Sequence, residues 1–269
     1  MHFPNFDPVF FRLGPLEFRW YGLMYVFGFI GSYFVILKQS ARRGIPLNKD
    51  DVADLIFAVA LGVILGGRTG YVLFYNLQDY LANPLKVFAV WEGGMSFHGG
   101  LAGAFAGGFW YCRKKKLPFL ALADLGAMAA PIGLGLGRIG NFINGELYGR
   151  TTDLPWGIIF PDPRAGNLPR HPSQLYEAFL EGPVLFALLW LLGRGKRPQG
   201  AILWAFIALY GIFRCTVEFF REPDAQLGFF PGGVSMGQLL SLPMVVAGGV
   251  MFWITLRRGA RDREDHSGD

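Results

Sequence analysis

Seven apolar runs set the limits on what this chain can fold into, at about 20–38, 53–75, 95–112, 118–138, 174–193, 200–217 and 235–256. A bilayer core is crossed by roughly 20 consecutive apolar residues in helical form. Runs of that length in close succession exclude an ordinary water-soluble domain. They predict an all-α polytopic membrane protein with about seven transmembrane helices. The fifth run is the most broken, since Glu177, Glu181 and Pro183 interrupt it. Neither an internal repeat nor a linker divides the chain, so residues 1–269 read as a single integral membrane domain. The 38 glycines suit helices that approach closely.

Lysine and arginine orient such a chain, because cytoplasmic connections carry them in excess. With seven spans the connections fall into two sets. One set holds "KQSARRGIPLNK", "RKKK", "RGKR" and "RRGARDR", with 15 basic residues against 7 in the other. The expectation is therefore an N-terminus outside and a C-terminus in the cytoplasm. On that reading the loops near 76–94, 139–173 and 218–234 face outward, 139–173 being the main outer-face loop region. Residues 257–269 form a cytoplasmic tail. The opening "MHFPNFDPVFFRLGPLEF" lacks the basic start and long apolar core of a secretory signal, so residues 1–19 read as an aromatic interfacial segment. The net charge of +5 follows this topology and is no argument for nucleic acid. Cys112 and Cys215 stand alone and indicate neither a metal motif nor a disulfide.

Strong polar groups in and beside the apolar runs carry the functional signal, because charge inside a bilayer is costly. Arg138, Asn141, Asn144, Glu146 and Arg150 crowd "GRIGNFINGELYGR", at the end of the fourth run. Arg214, Glu218 and Arg221 crowd the end of the sixth at the same expected depth. Arg214 and Glu218 stand four apart and so share one helix face. Interfacial arginines can simply meet lipid headgroups. Two clusters at one level suggest instead a shared polar pocket. Arginine's planar fork binds phosphate through two hydrogen bonds and keeps its charge when partly desolvated, and the asparagines add neutral donors. Glycines 133, 135, 137 and 140 allow close backbone approach, with Gly133 and Gly137 also fitting a small-residue packing seam.

Arg68, in "LGGRTGYVLFY", reads either as the partner of Asp124 or a glutamate, or as a further cation for an anionic lipid. His98, in "EGGMSFHGG", is either a hydrogen-bonded structural residue or a general base near neutral pH. His171 lies in the outer-loop stretch "RHPSQLYE". Tyr21 and Tyr210 fit an aromatic belt, and Tyr210, four residues before Arg214, also fits the pocket. "GMSFHG" is not a G-x-S-x-G elbow, which sets a serine hydrolase aside. No H-E-x-x-H occurs and the histidines are scattered, so no metal site is expected, and the absence of D-x-x-D-G-x-x-A-R argues against a metal-dependent attack on phosphorus. An anionic-lipid transporter or flippase would also need such arginines, but would bring paired repeats. A noncatalytic lipid-binding protein would not need His98.

Taken together, "RWYGLMY", "GGMSFHGG", "GRIGNFINGELYGR", "RHPSQLYE" and "YGIFRCTVEFFREPD" resemble the bacterial prolipoprotein diacylglyceryl transferases from about residue 18 to 240. The resemblance implies a multi-pass enzyme of the bacterial inner membrane with its active site toward the outer, periplasmic face. It implies transfer of the diacylglyceryl group of phosphatidylglycerol to the lipobox cysteine in the signal peptide of a preprolipoprotein, with glycerol phosphate released and no external cofactor needed. The family's essential positions fall on Tyr21, His98, Arg138, Asn141, Glu146, Tyr210, Arg214 and Glu218, and near Gly149. Within that implied reaction His98, or less readily Tyr21, takes the thiol proton. Arg138 and Arg214 hold the leaving phosphate. Glu146 orients an arginine or the headgroup glycerol. Asn141, Asn144, Arg150, Tyr210, Glu218 and Arg68 complete the substrate-binding set.

Overall fold

A computed structural model describes residues 1–4, 6–14, 16–89, 93–222, 229–230 and 232–265, with the backbone alone for Phe229 and residues 261–265. Glu92 at the head of "EGGMSFHGG", Pro223 and Asp224 at the end of "YGIFRCTVEFFREPD", and His266 lie outside the described residues.

Five helices are long and apolar enough to cross a membrane: Trp20–Arg42, Lys49–Phe74, Phe119–Ile143, Ser173–Leu192 and Met236–Ala260. The chain is thus a mostly helical polytopic membrane protein. Two further helices cover the remaining expected runs. Phe97–Lys115 carries five glycines and three terminal basic residues, which dilute its apolarity. Ala201–Val217 is apolar but only 17 residues long. We label Trp20–Arg42 α1, Lys49–Phe74 α2, Leu77–Ala82 α3, Phe97–Lys115 α4 and Phe119–Ile143 α5. Beyond them lie α6 (Ser173–Phe179), α7 (Leu185–Leu192), α8 (Ala201–Val217) and α9 (Met236–Asp265). The strands are short antiparallel pairs: β1 (Val9–Leu13) with β2 (Leu16–Arg19), β3 (Ile158–Ile159) with β4 (Pro169–Arg170), and β5 (Phe229–Phe230) with β6 (Val234–Ser235).

The broken fifth run has a defined form. α6 passes into a π turn at Leu180–Val184, where Gly182 leaves helical backbone angles, and α7 follows. Pro183 cannot donate to an earlier carbonyl, which weakens the helical ladder beside the irregular Gly182. The widened turn lies against α5: a Cβ built on Gly135 would stand 2.9 Å from the Gly182 Cα. This approach brings Glu181 to α5.

The chain forms two compact units, Met1–Val35 with Asp124–Asp269, and Ile36–Ala123. In the first, α8 packs along α9, and a Cβ on Gly248 would meet the Ala208 backbone at 2.6 Å. The start of the chain is built into the 139–173 region. Phe3 donates to the Ile159 carbonyl at 3.1 Å, and its ring joins Ile158, Phe160 and Ala165 in a small apolar core. Asp124 accepts from the Gly200 and Leu203 amides at 3.0 and 2.8 Å, capping the start of α8.

In the second unit α2 and α4 meet along two glycine rows, Gly62, Gly66 and Gly70 facing Gly99, Gly103 and Gly107. A Cβ on Gly103 would run into the Gly62 carbonyl, so only glycine allows this spacing. Asn48 and Asp51 form a reciprocal cap at the start of α2, and Asp51 also receives Lys115 and the Tyr111 hydroxyl. Overpacking a tight contact costs about 1–3 kcal/mol. Gly103→Val is expected to lower the thermal midpoint of the detergent-solubilised protein well below that of Gly108→Ala, whose added carbon would meet only Val59 Cγ2 at 3.9 Å. Equal midpoints for the two variants would contradict the glycine seam.

Candidate active site

Glu177 sits at the centre of the first unit's polar cluster. It lies on α6, with no side-chain exposure, and gathers three arginines. Arg138 Nε stands 2.8 Å from its Oε2, while Arg214 Nη1 and Arg221 Nη1 reach its Oε1 at 2.5 and 2.8 Å. Glu181, also fully buried, lies 3.5 Å from Arg138 Nε. Glu218 receives Arg214 Nη2 at 2.9 Å, the same-face pair expected from their spacing. Three arginines thus balance three glutamates, and charges that would each be costly alone are paired. Arg214 lies in the last turn of α8, where the helix dipole favours a cation, whereas Arg138 stands more than a turn before the end of α5.

The cluster still presents donors outward. The Arg138 and Arg214 side chains keep 21% and 17% of their surface. Among the described residues, the two terminal amino groups of Arg138 have no partner. Tyr210, one turn before Arg214, stacks on Phe206 with ring centroids 5.9 Å apart and lies in the field of both arginines and both buried glutamates. Tyr21 packs across α5 so closely that a Cβ on Gly140 would stand 2.7 Å from its ring, and its hydroxyl is 3.3 Å from that of Tyr25. A Cβ built on Gly28 of α1 would stand 3.3 Å from the Gly133 Cα, so α1 approaches α5 closely at Gly133, while a Cβ on Gly137 would meet nothing within 4 Å among the described residues.

A second group lies past the end of α5. Asn141 and Asn144 both donate to Glu146 Oε1, at 2.9 and 3.1 Å. Glu146 itself is exposed. Its side chain thus meets two amides and, among the described residues, no arginine. Arg150, expected to bind substrate, donates to the Arg221 and Glu218 carbonyls at 2.7 and 3.2 Å and ties this segment to the end of α8. Arg170 likewise bridges Ala165, Gly149 and Glu222. His171 is 3.2 Å from the Tyr176 hydroxyl, which also accepts from Trp156 at 2.8 Å, and burial holds the His171 pKa below the ordinary histidine value.

The second unit holds the other two expected residues. Arg68 is 4% exposed and directs its guanidinium at five backbone carbonyls, those of Lys86, Val87, Ala89, Gly93 and Gly94, at 2.5–3.2 Å. The reading of Arg68 as the partner of Asp124 or a glutamate is corrected: its five N–H donors are spent on the loop before α4. His98 lies in the first turn of α4, after the Ser96 cap. Its imidazole is exposed, packs edge-on to Phe97, and makes no hydrogen bond among the described residues.

Glu177 and Glu181 were visible in sequence only as interruptions of an apolar run. The signal was there, because a carboxylate inside a span is by default a functional candidate with a cationic partner. No group of three or more potential metal ligands occurs among the described residues.

Fold and site together define a multi-pass membrane protein with paired arginines, fixed by buried carboxylates, at the ends of its helices. Residues 8–254 match the family model described as prolipoprotein diacylglyceryl transferase, and the chain belongs to that family. It is 65% identical over 258 residues to the phosphatidylglycerol–prolipoprotein diacylglyceryl transferase of Geobacter sulfurreducens, covering 96% of this chain and 98% of the relative. Relatives of the same name from Vibrio cholerae and Vibrio vulnificus are 54% and 52% identical, over 96% and 97% of this chain and 95% and 96% of their own lengths.

Proposed function

We propose that the chain moves the diacylglyceryl group of phosphatidylglycerol onto the lipobox cysteine thiol of a preprolipoprotein, forming a thioether. The sulfur attacks the terminal glyceryl carbon. The carbon–oxygen bond breaks, its electron pair leaves on the phosphate oxygen, and glycerol phosphate departs. The thiol proton passes to His98, since the thiolate is the nucleophile and a free cysteine has a pKa of about 8.5. Arg138 and Arg214 stabilise the charge that develops on the leaving phosphate. Tyr21 and Tyr210 flank that phosphate, Asn141, Asn144 and Glu146 receive the headgroup glycerol, and Glu218 holds Arg214. The observation that carries this reading is an arginine cluster on one buried carboxylate, with the terminal donors of Arg138 unspent, in a chain of this family. The test is reconstitution of purified protein with phosphatidylglycerol and a lipobox peptide. A thioether-linked diacylglyceryl peptide is expected, and its absence with folded protein would overturn the reading.

The enzyme works in the bacterial inner membrane with seven spans, its N-terminus and active site on the periplasmic side and its C-terminus in the cytoplasm. The bias of 15 basic residues against 7 supports that orientation. Single cysteines at Arg164 and Lys116, in a background lacking Cys112 and Cys215, report it in intact cells. An impermeant thiol reagent is expected to label position 164 and spare 116. The reverse pattern would invert the topology.

A further inference from the structure

The turn that carries Glu146 is bent against its own backbone preference. Gly145 has φ +68° and Leu147 has φ +58°. The left-handed region is open to glycine but costs other residues roughly 1–2 kcal/mol. Such a conformation persists where its surroundings over-determine it. Here the restraint comes from the first turn of α6. Gln174 Nε2 donates to the Glu146 carbonyl at 2.6 Å, and Ser173 Oγ donates to the Leu147 carbonyl at 3.1 Å. Both side chains are completely buried. From the other side, Glu146 N–H donates to the Asn141 carbonyl at 3.1 Å. The result is a carboxylate folded back over the end of α5, with Oε1 held by Asn141 and Asn144. Its Oε2 has no partner among the described residues, and the residue is exposed.

A fixed carboxylate with one oxygen left over accepts hydrogen bonds from hydroxyls. Phosphatidylglycerol carries two hydroxyls on its headgroup. We propose that Gln174 and Ser173 are positioning residues that hold the left-handed turn at Leu147, so that Glu146 reads the hydroxyls of the lipid headgroup and sets the preference for a glycerol headgroup over other anionic phospholipids. This rests on the transferase reading of the site. Neither residue touches the lipid. Each acts on the backbone that aims the carboxylate.

The probe pair is phosphatidylglycerol and phosphatidylmethanol, which carry the same phosphodiester charge but differ in headgroup hydroxyls. A site built to bind a hydroxyl rejects an analogue that lacks it, and one hydrogen bond to a charged group is worth about 1.5–3 kcal/mol, or ten- to a hundred-fold. Wild type is expected to favour phosphatidylglycerol in kcat/KM by at least about tenfold. Gln174→Met, which fills the same space without the donor, is expected to lower that ratio as Glu146→Gln does. Ser173→Ala is expected to act in the same direction and serves if Gln174→Met folds poorly. Adding Gln174→Met to Glu146→Gln should change the ratio no further. A structural defect would lower both rates and leave the ratio at its wild-type value, and that result would overturn the proposal. So would a wild type that uses both lipids equally, or a double variant that loses the ratio twice over. Absence of transfer from phosphatidylglycerol by wild type would instead refute the transferase reading itself.

Discussion

His98→Gln is expected to cut turnover by about 10²–10⁴-fold, the usual contribution of a general base, with little change in thermal stability. The stability half follows from the local structure. The imidazole is exposed in the first turn of α4, and no described residue hydrogen-bonds to it, so glutamine orphans no buried partner. The α4 seam and the Ser96 cap, which donate nothing to His98 and receive nothing from it, remain in place. The rate half follows from the nucleophile. Near pH 7 a thiol with a pKa of about 8.5 is only a few per cent thiolate, and glutamine cannot take its proton. The residual rate of His98→Gln should therefore rise about tenfold per pH unit until the thiol itself ionises near pH 8.5. Wild type should flatten earlier. Turnover at saturating lipid and peptide across that range is the measurement. Near-normal turnover in His98→Gln would make His98 structural and move the search for the base to Tyr21.

Arg138→Lys and Arg214→Lys are each expected to lower turnover by at least about tenfold, since a hydrogen bond to a charged group is worth about 1.5–3 kcal/mol. Arg138 gives only Nε to the buried carboxylates and keeps two amino groups for a ligand. A lysine there has one ammonium to divide between Glu177 and the phosphate. Arg214 spends one terminal nitrogen on Glu177 and the other on Glu218, a two-pronged arrangement that an ammonium cannot copy. Both substitutions keep the balance of three cations and three carboxylates, so folding should survive. Removing a charge outright would instead leave a buried carboxylate uncompensated, at about 3–5 kcal/mol. The double lysine variant should lose less than the product of the single losses, because both arginines serve one phosphate. Strictly multiplicative losses would assign them to separate sites. Full activity in both variants would show that charge alone suffices.

Helices were the legible part of this fold, because a bilayer-length apolar run leaves the backbone no other way to satisfy its hydrogen bonds. The polar cluster was legible where charges stand close in sequence, as with Arg214 and Glu218. It was not legible where one residue collects partners from several helices. Glu177 takes Arg138 from α5 and Arg214 from α8, 39 and 37 positions away. The structural partners of Arg68 and Arg150 were hidden for a different reason. They are backbone carbonyls, which every residue carries and no sequence pattern marks. The left-handed Leu147 was hidden as well, since its restraints arrive from Ser173 and Gln174, about 26 residues along the chain.

The central claim is that the carbon–oxygen bond of phosphatidylglycerol breaks while its phosphate is held by Arg138 and Arg214. Phosphatidylglycerol labelled with oxygen-18 in the bridge between the diacylglyceryl carbon and phosphorus tests this most directly. After turnover with a lipobox peptide, mass spectrometry is expected to find the label wholly in glycerol phosphate and none in the thioether-linked peptide. Labelled diacylglycerol, with a phosphoryl group on the peptide sulfur, would mean attack at phosphorus and would contradict the account.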